Sequence, residues 1–249
     1  MSSPERRVIL ITGGGGGIGR AVAKHFAADG AAVCAVDIDE DAAQETVADL
    51  GSDVGLAVRA DVRDREQVEA AVRSAADRFG GVDVVVHCAG VLKTARLLKM
   101  PESDWDEVFD TNAKGRFLVS QAAARDMIRH GRGGVIVDIG SITTDRVAPG
   151  RLHYCVSNAT VDALMRAMAV DLGKHGIRVV TVSTGPVETQ MLGGRADDPD
   201  RLARFTQMIP LGRIAQPEDV ARAVRFLASD SARYVTGSVM HLDGGWTAA

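Results

Sequence analysis

The chain has 249 residues, of which 46% are hydrophobic, 25% charged and only 4% aromatic, with a formal net charge of -4. That length and composition fit one large globular α/β domain with a sizeable core and argue against disorder. The mild negative charge and the scarcity of rings disfavour nucleic acid as a partner; no run approaches the roughly 18 apolar residues a bilayer requires, which disfavours a membrane as well.

Short apolar runs alternate with amphipathic stretches along the whole chain. In order they read as strand 8–12, helix 19–29, strand 32–37, helix 41–50, strand 54–59, helix 65–79, strand 82–87, a long helix 101–129, strand 135–139, helix 154–175, strand 177–183, helix 217–229 and strand 238–241. The strands are continuous Val/Ile/Ala runs rather than alternating ones, as expected of a parallel sheet covered on both faces. Pro217 followed by Glu218 and Asp219 is a good helix start, since proline loses nothing at the first turn and carboxylates favour the N-terminus. The alternation predicts an α/β fold, a doubly wound parallel sheet of about seven strands with helices on both faces, in a single domain spanning 1–249. One long interruption, 190–213, carries three glycines, two prolines and a short helical pattern near 200–208, and reads as a substrate lid. Residues 1–7 carry charges with no apolar stretch of signal-peptide length behind them. Three cysteines without paired spacing suit a reducing compartment, so the expected location is cytoplasmic. No His, Cys or carboxylate grouping has metal-ligand spacing, and no metal is expected.

Five glycines, Gly13 to Gly17, follow the first strand and open the first helix, where backbone amides approach a pyrophosphate that the helix N-terminus favours. Two spacings fit: Gly14, Gly16 and Gly19 satisfy G-x-G-x-x-G, while Gly13, Gly17 and Gly19 satisfy G-x-x-x-G-x-G, which Thr12 and Ile18 favour. Asp37, at the end of the second strand, suits the hydroxyls of an adenosine ribose and repels a 2′-phosphate. No arginine or lysine stands at 13–19 or at Ile38 to receive such a phosphate, so NAD is expected rather than NADP.

Ser141 is followed after thirteen residues by Tyr154 and, four further on, by Asn158. With the run from Thr12 to Gly19, this pattern resembles the short-chain dehydrogenase/reductase family over nearly the whole chain. The resemblance implies a Rossmann-type fold and interconversion of a secondary alcohol and a ketone. It makes Tyr154 the acid/base and Ser141 the group that orients the substrate oxygen, and gives Asn112 a role in holding a water in a proton relay. It also places Gly13, Gly17, Ile18 and Gly19 at the pyrophosphate, and Asp61 and Val62 against the adenine. Ala89 and Gly90 would lie beside the cofactor, and Gly185, Val187 and Thr189 at the nicotinamide. A homotetramer or homodimer is implied, and the helix after Tyr154 carries Val161, Leu164, Met165, Met168 and Leu172 at helical spacing.

The chain departs from the family pattern at Cys88, where the family has asparagine, at Val180 and Thr184, and above all at Asn158, where it has lysine. A free phenol has a pKa near 10, so only about one in a thousand is ionised at pH 7. A unit positive charge about 4–5 Å away contributes roughly 3–4 kcal/mol at an effective dielectric of 20, enough to lower a pKa by about two to three units before desolvation. Asparagine can still donate to ribose hydroxyls but supplies no charge. His87, Lys93 and His153 are the candidates for a replacement, and Arg146, Arg151, Arg195, Arg201 and Arg204 for anion recognition near the site. Two other functions therefore stay open: an NAD-binding sensor or scaffold with weak or no catalysis, and a non-redox lyase or epimerase on the same scaffold.

Overall fold

A computed structural model of the chain describes residues 6–51, 53–192 and 199–249, the side chains of 199–202 excepted. Seven parallel strands, β1 (Val8–Thr12), β2 (Ala32–Asp37), β3 (Gly55–Arg59), β4 (Val84–His87), β5 (Gly134–Ser141), β6 (Ile177–Thr184) and β7 (Ser238–Leu242), form one sheet in the order β3-β2-β1-β4-β5-β6-β7. The period of two divides their side chains between two cores. Ile9, Ile11, Val84, Val86, Val137 and Val182 pack under α1 (Gly17–Ala28) and α8 (Pro217–Ala228). On the other face Leu10, Val85, Ile136 and Val179 pack under α3 (Arg65–Phe79), α5 (Gly115–His130) and α6 (Leu152–Leu172). Because β1, β2 and β4 carry an apolar residue at nearly every position, helices are needed on both sides. Val161 and Met165 of α6 belong to the core, with Met168 and Leu172 packed at its margin.

The helices begin where short polar side chains meet their first amides. The Asp39 carboxylate accepts from the Ala42 amide at 3.2 Å at the start of α2 (Glu40–Ala48), and Asp64 accepts from the Glu66 and Gln67 amides of α3 at 2.9 and 3.2 Å. Gln216 and Asp219 form a reciprocal capping box ahead of Pro217. The long helix expected at 101–129 is instead α4 (Glu102–Phe109), a wide π turn at Asp110–Lys114, and α5. The helix expected at 154–175 begins earlier, at Leu152, and ends at Leu172, with a 3-10 turn closing it at His175. Strand β4 starts two residues later than expected, and β5 runs on through Ser141. In the segment read as a lid, Gln190–Leu192 is a 3-10 turn and α7 spans Pro199–Met208; 193–198 lie outside the described residues. Among the described residues no helix is long and apolar enough to cross a membrane.

His87 is fully buried at the end of β4, its Nε2 2.8 Å from the Ser120 hydroxyl, and desolvation, with the charge of Arg116 adding to it, lowers its pKa to about 3. Burial also lowers that of His153, against the opposing charge of Asp104. Unfolded imidazoles take up protons near pH 6.5 and these folded ones only at lower pH, so stability is full above that pH and is lost as pH falls below it. Melting curves from pH 8 to 4 should show this loss, up to about 3 kcal/mol from His87 by pH 4. In His87→Gln the acid-side loss should be much smaller. An unchanged slope in that variant would assign the effect to other groups.

Candidate active site

The order of the sheet reverses direction between β1 and β4, and the carboxyl ends of the strands open there into a cleft of about 370 Å³. Of the residues expected at a nucleotide, Gly13, Gly17, Ile18, Gly19, Asp37, Ile38, Asp61, Val62, Ala89, Gly90 and Thr189 line it. Gly13 has φ +65°, and a Cβ there would stand 2.7 Å from the Ala89 amide nitrogen. A Cβ on Gly19 would collide with the Gly13 carbonyl, and one on Gly17 would press the Thr189 methyl at 3.2 Å. A Cβ on Gly14 would also stand 2.9 Å from Ala35, whereas one on Gly16 would meet nothing nearer than 3.4 Å, so the two spacings differ chiefly at Gly16 and Gly17. Asp37 accepts the Gly15 amide at 3.0 Å and the Asp39 amide at 3.1 Å, which fixes its carboxylate at the rim. The Asp61 carboxylate is taken up by Arg63, whose Nη2 donates at 2.6 Å; this hydrogen bond holds the Asp61 pKa below its ordinary value. Arg63, Val91, Glu107, Thr111, Gln190 and Met191 also line the cleft. Gln190 and Met191 open the segment read as a lid; sequence reasoning missed the other four, although Arg63 directly follows the Asp61-Val62 pair.

Gly185, Val187, Tyr154 and Asn158 are not among the lining residues of this cleft. Gly185 and Pro186 instead line a smaller hollow with Ile209, Leu211 and Asp243. Ser141 ends β5, and its hydroxyl oxygen accepts from the Thr143 hydroxyl at 3.0 Å and the Thr143 amide at 3.3 Å. Tyr154, half-buried in the first turn of α6, presents its backbone carbonyl to two side chains: Ser157 Oγ donates at 2.9 Å and Asn158 Nδ2 at 2.8 Å. Asn158 is thus turned back on its own helix and buried, 4% exposed.

Asn112 sits inside the π turn and joins three segments. Its Oδ1 accepts the Val91 amide at 2.8 Å, and its Nδ2 donates to the Val91 carbonyl at 3.0 Å and to Ser157 Oγ at 3.3 Å. None of the candidates for the absent lysine is bonded to the phenol. His87 is neutral and on Ser120, Lys93 is paired with Glu107 at 2.8 Å and Asp104 at 3.5 Å, and His153 is buried with both ring nitrogens unpartnered. Burial pushes the Cys88 thiol up to about 12, which suits packing rather than redox work. Of the arginines, Arg146 donates to the Ala249 carbonyl, Arg151 precedes α6, and the side chain of Arg201 and all of Arg195 lie outside the described residues.

A family model described as enoyl-(acyl carrier protein) reductase matches residues 14–247. The chain belongs to the short-chain dehydrogenase/reductase family. It is 41% identical to the (3R)-3-hydroxyacyl-CoA dehydrogenase of Rattus norvegicus, covering 95% of this chain and 94% of that one. With the 3-oxoacyl-(acyl-carrier-protein) reductase of Vibrio cholerae it shares 36% identity over 97% of each chain. A short-chain type dehydrogenase/reductase from Mycobacterium marinum superposes with a TM-score of 0.92 at 36% identity, over 98% of this chain and 96% of that structure. The chain is an enzyme of this family, and the cleft at β1 and β4 suits the family's nicotinamide dinucleotide: close-packed glycines, a helix N-terminus and a rim carboxylate. Gly13→Ala should cost at least about tenfold in dinucleotide affinity, because the new methyl meets the Ala89 backbone at a φ that side chains avoid. Titration calorimetry checks this, and undiminished affinity would remove the cleft from consideration.

Proposed function

We propose that the protein is an NAD(H)-dependent oxidoreductase interconverting a secondary alcohol and a ketone. The observation carrying this reading is the place of the Ser141 hydroxyl at the end of β5, held by the Thr143 hydroxyl and amide, where it can orient a substrate oxygen. NAD, when bound, supplies the hydride acceptor. Gly13, Gly17, Ile18 and Gly19 would hold its pyrophosphate, Asp37 and Ile38 the adenosine ribose, and Asp61 and Val62 the adenine. Ala89 and Gly90 would support it from β4, with Gly185, Val187 and Thr189 at the nicotinamide. Asp37 favours NAD by charge: its carboxylate, already accepting two amides, would meet a 2′-phosphate with like charge. Tyr154 gives or takes the proton at the substrate oxygen, and Asn112 holds Val91 and Ser157 on either side of it.

The relatives' names point to 3-oxoacyl and 3-hydroxyacyl thioesters as the first substrates to test. Gln190 and Met191, where the 190–213 segment meets the cleft, favour a lid, and the fully exposed Tyr234 and the exposed Val170 of α6 favour assembly into a homodimer or homotetramer. A second reading, a dinucleotide-binding sensor with little turnover, draws on Asn158, whose amide is spent on the Tyr154 carbonyl.

Calorimetry with both cofactors should show NADH bound at least about tenfold tighter than NADPH, and Asp37→Ala should narrow that ratio. Tyr154→Phe should lose about 10²–10⁴ in kcat while keeping NADH affinity. Binding without turnover on any alcohol or ketone, thioesters included, would select the sensor; loss of substrate without change in the reduced nicotinamide would select lyase or epimerase chemistry.

A further inference from the structure

Arg116 is the only buried Lys or Arg among the described residues, 6% exposed on the first turn of α5. Its guanidinium makes three contacts in three directions. Nε donates to Asp138 on β5, itself fully buried; Nη1 donates to the Asn112 carbonyl at 2.6 Å; Nη2 donates to the Ile139 carbonyl at 3.1 Å. Both carbonyls stand where the backbone pairing changes, although Ile139 remains paired with Val182 of β6. Asn112 lies in the π turn, where the hydrogen-bonding ladder of the helix shifts. Ile139 lies one residue beyond the last pairing of β4 with β5, His87 opposite Asp138. A planar fork of donors can serve both carbonyls and a carboxylate at once; an ammonium on a flexible stem cannot hold the same geometry. The ion pair is a weak source of stability, since desolvation offsets its attraction. Asp138 Oδ2 is also buried without a partner, and desolvation raises the Asp138 pKa in spite of the guanidinium. A pair that gains the fold so little is placed at the two segments the site depends on: the turn that carries Asn112 and the strand that ends at Ser141.

We propose that Arg116 is a positioning residue for the reaction, locking the π turn at Asn112 to the end of β5 and so fixing Val91 and Ser141 relative to each other. The proposal rests on the oxidoreductase reading for its kinetic consequence. Arg116 works through geometry, its three donors reaching Asp138, Asn112 and Ile139 at once. It also takes one lone pair of the Asn112 carbonyl, leaving the other for a second donor.

The test compares the wild type with Arg116→Met/Asp138→Leu, which replaces the pair by apolar groups of similar size, and with Arg116→Lys, which keeps the charge and loses the fork. The apolar double should melt no lower than the wild type, lose about 10–100-fold in kcat and keep the nicotinamide KM within about threefold. Arg116→Lys should fold and show the same split, and it decides the matter if the double fails to fold. Amide exchange is followed in parallel at Val91 and Thr143, whose N–H groups are held by Asn112 and Ser141; it should quicken about tenfold there and not in the central strands. A folded variant with wild-type kcat overturns the proposal. If the wild type itself turns over no substrate, the oxidoreductase reading fails on its own, and exchange alone decides: quickening at those two amides supports the positioning role, and unchanged exchange removes it.

Discussion

The site depends on one close approach, the α-carbon of Gly13 against the backbone of Ala89. Parallel strands send all their carboxyl ends to one edge, and the turn after β1 has to cross the end of β4 before α1 can start. No side chain fits there, and Gly19 in turn leaves room for the Gly13 carbonyl. That contact places the N-terminus of α1 at the cleft, and Asp37 on the next strand can then bind the Gly15 amide. A glycine turn that stood further from β4 would leave the helix start, the carboxylate and the strand ends unconnected.

A second layer of order is polar and buried. Asn112 bonds to Val91 and Ser157, Arg116 to Asn112, Asp138 and Ile139, and Ser157 and Asn158 to the Tyr154 carbonyl. Each of these groups would cost free energy if buried alone, so each constrains its neighbour's position. Asp162 on α6 belongs to the same region. Burial first, and then the charge of Asp138, raise its pKa to about 6.

The fold was legible because its signals are local: uninterrupted Val/Ile runs for β1, β2 and β4, a proline with two carboxylates at α8, and a glycine run between strand and helix. The helix through 101–129 misled because its periodicity does not reveal an extra residue wound into the turn at Asp110–Lys114. That turn is fixed by Val91, twenty-one residues away from Asn112, and no local pattern encodes such a contact. Ser141, Tyr154 and Asn158 could be picked out by spacing, but not that Asn158 would fold back on its own helix. Arg116 escaped notice because an arginine in an amphipathic helix reads as solvent-facing; only the register of β5 shows the aspartate beneath it. The cleft residues at Arg63, Glu107 and Thr111 were likewise hidden, since they meet only once separate loops come together.

The central claim is that this chain keeps the tyrosine and serine of its family and works without an ammonium group at residue 158. The most direct measurement is the pH dependence of kcat for oxidation of a 3-hydroxyacyl thioester by the wild type, followed by the appearance of reduced nicotinamide. The account predicts turnover that climbs close to tenfold per pH unit between about pH 7 and 9, because no ammonium at residue 158 favours the ionised form of the base. Turnover already level by about pH 7 would contradict it, and would mean that another group in the site performs the lysine's task.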